Sequence, residues 1–270
     1  MSANHPNYSR NMVRQFEPYL SKTDKAFTPF WNALHLARKA KKFMLPDGGR
    51  VYEDKTFRAL DESEPLHLPF PCIALEYASD KSKTPRAGET ASSKRIVFVR
   101  EESDSIVLTP VFWVDAESVW YPLPEAALPL THYLSRDTVN EGWIAINCSL
   151  SDSRFPLSDY EDEIGSLLCF LNALQCSNVH AERSPAKAAG KKIKSALPFD
   201  DYYVLSVDLP SGGSGSTAAG GHRSPREHLR RGHIRRLESG RRIWINAAVV
   251  GASKGAGKIV KDYNIKPGKS

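Results

Sequence analysis

Cysteine is scarce in this chain: four in 270 residues. That is too few for a disulfide framework in a chain of this size, and it predicts a reducing compartment. Long apolar runs are missing too, and no stretch approaches the roughly 18–20 uninterrupted apolar residues of a membrane-spanning helix. Residues 1–14 lack an apolar centre, which predicts no secretory signal. No internal repeat is present. What is there is an ordinary globular composition, 41% apolar and 25% charged, which excludes a wholly disordered or collagen-like chain.

Charge is divided unevenly. Residues 181–270 hold 18 Lys and Arg against 7 Asp and Glu, whereas the first 180 hold 19 against 24. A basic end of this kind points to an anionic partner, nucleic acid being the commonest, and a solvated basic face is the plain alternative.

Periodicity predicts an α+β fold, an antiparallel sheet packed against helices. Residues 1–24 read as a flexible N-terminal segment, with at most a helical turn at 12–19, and residues 25–270 as a single unit. Phe27, Phe30, Trp31, Leu34, Ala37 and Ala40 fall at helical spacing, and the basic residues at 38, 39, 41 and 42 suit a helix C-terminus. β-branched and apolar runs at 73–77, 95–100, 105–113, 119–122 and 143–148 read as strands, with an exposed hairpin loop at 80–94. Ser158-Asp-Tyr-Glu161 has the form of a capping box, followed by a stripe of Tyr160, Ile164, Leu167, Leu168, Leu171 and Leu174, with Asn178 as a left-handed stop. This helix, 158–177, is expected to lie across the sheet. Mobile connectors are expected at 181–196 and 211–221, with a strand at 201–207 between them.

The chemistry concentrates in the basic subregion 222–270. Ser224-Pro225-Arg226-Glu227 reads as a second capping box, opening a short basic helix that runs to Arg231 and stops at Gly232. A hairpin should follow, from strands at 233–237 and 241–250 around a turn at 238–240. Alternation sets Ile243, Ile245, Ala247 and Val249 toward the core and leaves Arg242, Trp244 and Asn246 outside. Arg223, Arg226, Arg230, Arg231, Arg235, Arg236, Arg241 and Arg242 face only Glu227 and Glu238 in this stretch. The planar arginine fork pairs with phosphate in two places and stacks on bases. Trp244 would add a stacking platform for single-stranded bases. The plainer reading has several of these arginines pairing with the acidic first 180 residues.

Two sharper readings involve histidine. His228 and His233, beside Arg231 and Arg235, could act as the proton-transfer groups of a metal-independent ribonuclease. Cys176-x3-His180 and His228-x4-His233 have spacings compatible with a zinc site, although a predicted helix end separates the members of each pair. The segment 251–258 lacks the spacing of a phosphate-binding loop and reads as a turn. Neither a metal nor a cofactor is expected.

The run Gly221-His-Arg-Ser-Pro-Arg-Glu-His-Leu-Arg-Arg-Gly-His-Ile-Arg-Arg, with Gly240-Arg-Arg-Ile-Trp-Ile-Asn and Gly251, resembles a group of bacteriophage and prophage proteins, over roughly residues 167–263. The resemblance implies a phage-encoded protein acting in the host cytoplasm and assigns no catalytic residue. The leading expectation is a nucleic-acid-binding protein, for RNA or single strands, with no membrane partner. The alternatives are a nuclease using His228 and His233, and an inhibitor offering its basic face to an acidic host protein.

Overall fold

The computed structural model describes residues 6–20, 28–51, 65–79, 92–131, 134–136, 144–146, 148–184, 202–208, 228–230, 233–245, 248–250 and 266–267. Two helices come first, α1 (Tyr8–Leu20) and α2 (Thr28–Lys39). The strands that follow are β1 (Lys41–Met44), β2 (Cys72–Ala78), β3 (Lys94–Glu101), β4 (Ser105–Val114), β5 (Val119–Pro122), β6 (Ala126–Pro129), β7 (Leu134–Arg136), β8 (Ile144–Ile146) and β9 (Ser149–Leu150). A 3-10 turn at Leu157–Tyr160 leads into α3 (Glu161–Leu174). The chain then forms β10 (Val179–Ser184), β11 (Tyr202–Val207), β12 (His228–Arg230), β13 (His233–Arg236), β14 (Arg242–Ile245), β15 (Ala248–Val250) and β16 (Lys266–Pro267).

The main sheet runs in the order β10-β11-β1-β2-β3-β4-β6-β9, with β16 beside β11 and β5 beside β4. It is mixed rather than antiparallel. β1 pairs parallel with β2 (Lys42↔Ala74) and with β11 (Lys42↔Tyr202), while β2-β3-β4 form an antiparallel meander. The sequence reading missed this because it assigned Lys41 and Lys42 to the end of a helix. α2 stops at Lys39, and the next residues are a short strand buried at its last three positions.

Alternation along the strands feeds two cores. Phe43, Ile73, Leu75, Val97 and Val99 pack with Leu167, Leu168 and Phe170 of α3. Ala74, Ile96 and Phe98 point the other way and pack with Met12, Val13 and Phe16 of α1 and Leu34 and Ala37 of α2. The α+β class holds, with helices covering both faces. α3 is buried nearly all round from Glu163 to Ala173, and each Leu or Phe so buried contributes about 1.5–3 kcal/mol. Gly48 and Gly49, at φ 81° and 71°, turn the chain after β1. A Cβ on Gly49 would collide with Ser166 of α3 and with the Tyr77 ring, so glycine is required for that close approach.

Four further expectations are corrected. Residues 8–20 of the supposedly flexible N-terminal segment form α1. The connector expected at 181–196 begins as strand, since β10 reaches Ser184 and pairs along its length with β11. The capping box at Ser158 does not form: α3 begins after a 3-10 turn, its N-cap is Tyr160, and no side chain bonds to the cap. Asp159, Glu161, Asp162 and Glu163 still set negative charge at the positive end of the helix. Asn178 is not a left-handed stop, because α3 ends on Gln175 in a right-handed conformation. Of the loop expected at 80–94, residues 80–91 lie outside the described residues and Lys94 already belongs to β3; the loop expected at 211–221 and the turn at 251–258 also lie outside them.

Candidate nucleic-acid interface

β12 pairs antiparallel with β15, and β13 with β14. The described pairs of both, His228↔Val250 to Arg230↔Ala248 and His233↔Ile245 to Arg236↔Arg242, have the register of a single hairpin. The sequence reading had residues 224–231 as a helix, and the structure corrects this for 228–230, which are strand. An apolar partner run at 248–250, two of its three residues valine, supplies the ladder that helix propensity alone overlooks. Arg223, Arg226, Arg231 and Asn246 lie outside the described residues. The backbones of His228, Arg230 and His233 are placed, but their side chains are not described.

The facing of the ribbon is the reverse of the expected one. Arg242 and Trp244 are each 6% exposed, while Ile243 and Ile245 are half-buried. Trp244 joins the core beneath α3, and Ile234, its cross-strand partner, packs there too. The reason is a set of polar groups at the C-terminal end of α3. Ser177 donates from its amide (2.9 Å) and hydroxyl (3.1 Å) to the carbonyl of Arg242. The Asn178 amide group accepts from the Trp244 N–H at 2.7 Å and donates to the Trp244 carbonyl at 3.0 Å. One side chain thus pairs with the strand as a neighbouring backbone would.

Arg242 completes the grip. Its Nη1 donates to Gln175 and, at 3.4 Å, to Asn172. The last turn of α3 carries no basic residue of its own, so this guanidinium brings positive charge to the negative end of the helix dipole. Beyond the grip the ribbon is open. Arg235, Arg236, Glu238, Ser239, Gly240 and Arg241 are all exposed, giving three arginines against one glutamate at the tip. Leu237 and Arg241 close the turn, with Leu237 N donating to Arg241 O at 2.8 Å and Gly240 N to Leu237 O at 2.9 Å.

The zinc reading gains no support from the described residues. The Cys176 thiol is buried and donates at 3.8 Å to the Asn172 carbonyl. Burial pushes its pKa up to about 11, with Arg242 pulling the other way. His180 is exposed and faces Asp208 at 3.8 Å. No cluster of three or more His, Cys, Asp or Glu suited to a metal occurs among the described residues.

A second polar centre escaped the sequence reading. Glu76, fully buried in β2, accepts from the amides of Tyr8 (2.7 Å) and Ser9 (3.1 Å), from the Ser9 hydroxyl, and from Tyr202 at 2.6 Å. Its carboxylate stands where an N-cap would, at the positive end of α1. Tyr202 in turn accepts from the Asn7 amide at 2.8 Å. Burial and the nearby Glu76 charge raise the Tyr8 pKa, keeping that phenol neutral. The one visible signal was a glutamate inside an otherwise apolar strand. For the interface the missed residues were Asn172, Gln175, Ser177 and Asn178, a polar cluster closing an apolar helix.

No helix among the described residues is long and apolar enough to cross a membrane. No protein-family model matches this chain, and neither curated proteins nor solved structures include a significant match to it.

Proposed function

We propose that the chain is a phage-encoded nucleic-acid-binding protein whose contact surface is the ribbon tip. The observation that carries this reading is the division of the arginines. Arg242 bonds to the end of α3, whereas Arg235 and Arg241 are exposed around a turn that holds one acid. Guanidinium groups so arranged suit phosphate, since each can form two parallel charge-assisted bonds. The resemblance of 221–251 to phage and prophage proteins supports the phage origin and, with it, a place of action in the host cytoplasm. The preference for RNA or single strands loses its main support, because Trp244, the intended stacking surface, is inside the core.

The test is fluorescence anisotropy with labelled DNA and RNA at several salt concentrations, with strand integrity checked on a gel. Binding should weaken linearly on a log–log scale, with a slope of about −0.9 for each phosphate neutralised on duplex DNA. The Arg235→Ala/Arg241→Ala variant should bind more weakly with a shallower slope. Strand cleavage abolished by His233→Ala would promote the nuclease alternative instead. Absence of binding at low salt, with co-purification of one acidic host protein, would favour the inhibitor.

A further inference from the structure

We infer that the ligand of the ribbon is the major groove of duplex DNA, a conclusion that rests on the nucleic-acid reading above. Neighbouring strands lie about 4.7–4.9 Å apart, and the major groove, about 12 Å wide, admits a two-stranded ribbon and presents there the base edges that an arginine fork can read. The shared register of the β12–β15 and β13–β14 pairings is that of such a ribbon.

The tip is free to enter. Gly240 adopts φ 81°, which tightens the turn, and a Cβ built on it would meet nothing within 4 Å. Arg235 is opposite Ile243 on the ladder, and Arg241 lies two positions before that partner. Strand alternation therefore sets Arg235 and Arg241 on one face as diagonal neighbours, about 7–8 Å apart. That face is the one turned away from α3, since Ile234, Arg242 and Trp244 occupy the other. Two arginines on one face of a ribbon can each fork onto the O6 and N7 of a guanine, and Glu238 can accept from a cytosine amino group. The docked face holds the arm in one orientation before binding, which lowers the entropy lost on association.

Single strands fit less well. Their binding sites combine cations with aromatic platforms on which bases stack. The exposed stretch from Arg235 to Arg241 contains no aromatic residue, and Trp244 is committed to the core.

The experiment compares three labelled ligands of one sequence and length: duplex DNA, one of its strands, and duplex RNA, whose major groove is too deep and narrow to read. A fourth ligand carries 7-deazaguanine, which removes the N7 acceptor from the major groove and leaves phosphates and minor groove intact. Duplex DNA should bind about tenfold or more tightly than either comparison ligand, and 7-deazaguanine or Arg235→Ala/Arg241→Ala should remove most of that advantage. Thermal melting of the variant, whose substituted side chains are exposed, verifies that it is folded. Arginine-dependent binding that is equal or tighter for the single strand or the duplex RNA would overturn the groove assignment and leave nucleic-acid binding standing. So would duplex binding indifferent to 7-deazaguanine. Failure to bind any of the four ligands at low salt would instead remove the nucleic-acid reading itself.

Discussion

The first helix and the late ribbon are both held to the body of the protein by borrowed hydrogen bonds, and they end up in opposite situations. At α1, the carboxylate of Glu76 reaches from the sheet to the first amides of the helix. At the ribbon, Asn178 and Ser177 reach from the end of a helix to the backbone of a strand that, among the described residues, has no sheet neighbour on that side. The α1 grip centres on the buried carboxylate of Glu76, which takes hydrogen bonds from two amides and two hydroxyls. The ribbon grip involves only the docked face and leaves a cationic tip in solvent. A buried polar cluster stabilises; a half-docked one also presents. The comparison separates two uses of the same chemistry, and each can be broken independently.

The largest loss is expected at Glu76. Glu76→Ala leaves two amides and two hydroxyls in the interior without their acceptor, a cost of about 3–5 kcal/mol. Denaturant unfolding measures this directly, and a loss below 1 kcal/mol would mean that α1 is held by its apolar face alone. Asn178→Ala should cost less, about 1–3 kcal/mol, because one amide and one carbonyl lose their partner. Its sharper signature is local: hydrogen exchange at the Trp244 amide should accelerate while the β2–β3 ladder remains protected. Equal acceleration everywhere would show that ribbon and body unfold together.

Cys176 reports on the same junction through pH. Its folded pKa, about 11, lies above the ordinary thiol value of 9.0 because the thiol is buried. Below pH 9 the thiol is protonated in both states and the pH has no effect through this group. As pH rises from 9 toward 11 the unfolded state ionises first, so stability falls across that window. Cys176→Ser should flatten that decline, measured by urea midpoints from pH 8 to 11. An unchanged decline would assign the pH response to other groups.

What could be read from residue order was local and apolar. The stripe from Tyr160 to Leu171 identifies α3, and the β-branched runs identify β2 to β5, because burial enforces the periodicity that the eye detects. The misses share a different cause. β1 is four residues long and begins with two lysines, so its parallel pairing depends on partners more than 30 positions away. α1 has a weak signal of its own and is fixed by Glu76 and Tyr202, which are distant in sequence. For β14, hydrophobicity favours Ile243 and Ile245 for the core. A tryptophan with more apolar surface and an arginine with waiting acceptors on α3 reversed it. The basic composition of the site was legible. Which arginines face solvent was not, because that depends on Asn172 and Gln175, some 70 positions away.

The smallest effect on stability is expected at the tip. Arg235→Ala and Arg241→Ala remove exposed side chains, and each should change unfolding by no more than about 0.5 kcal/mol. A larger loss would mean that the tip is held rather than offered.

Two adjacent residues give the most direct test. Arg241→Ala and Arg242→Ala should be measured side by side for unfolding free energy and for salt-dependent affinity to duplex DNA. Arg241→Ala should leave stability within about 0.5 kcal/mol of the parent and reduce both affinity and salt slope, the latter by about one phosphate contact. Arg242→Ala should cost about 1–3 kcal/mol in stability, because it strips Gln175 and Asn172 of their buried donor. Its effect on affinity should follow only from loosening the ribbon. The opposite pattern, with Arg242→Ala neutral for folding and Arg241→Ala neutral for binding, would contradict the division between a gripping arginine and a presenting one.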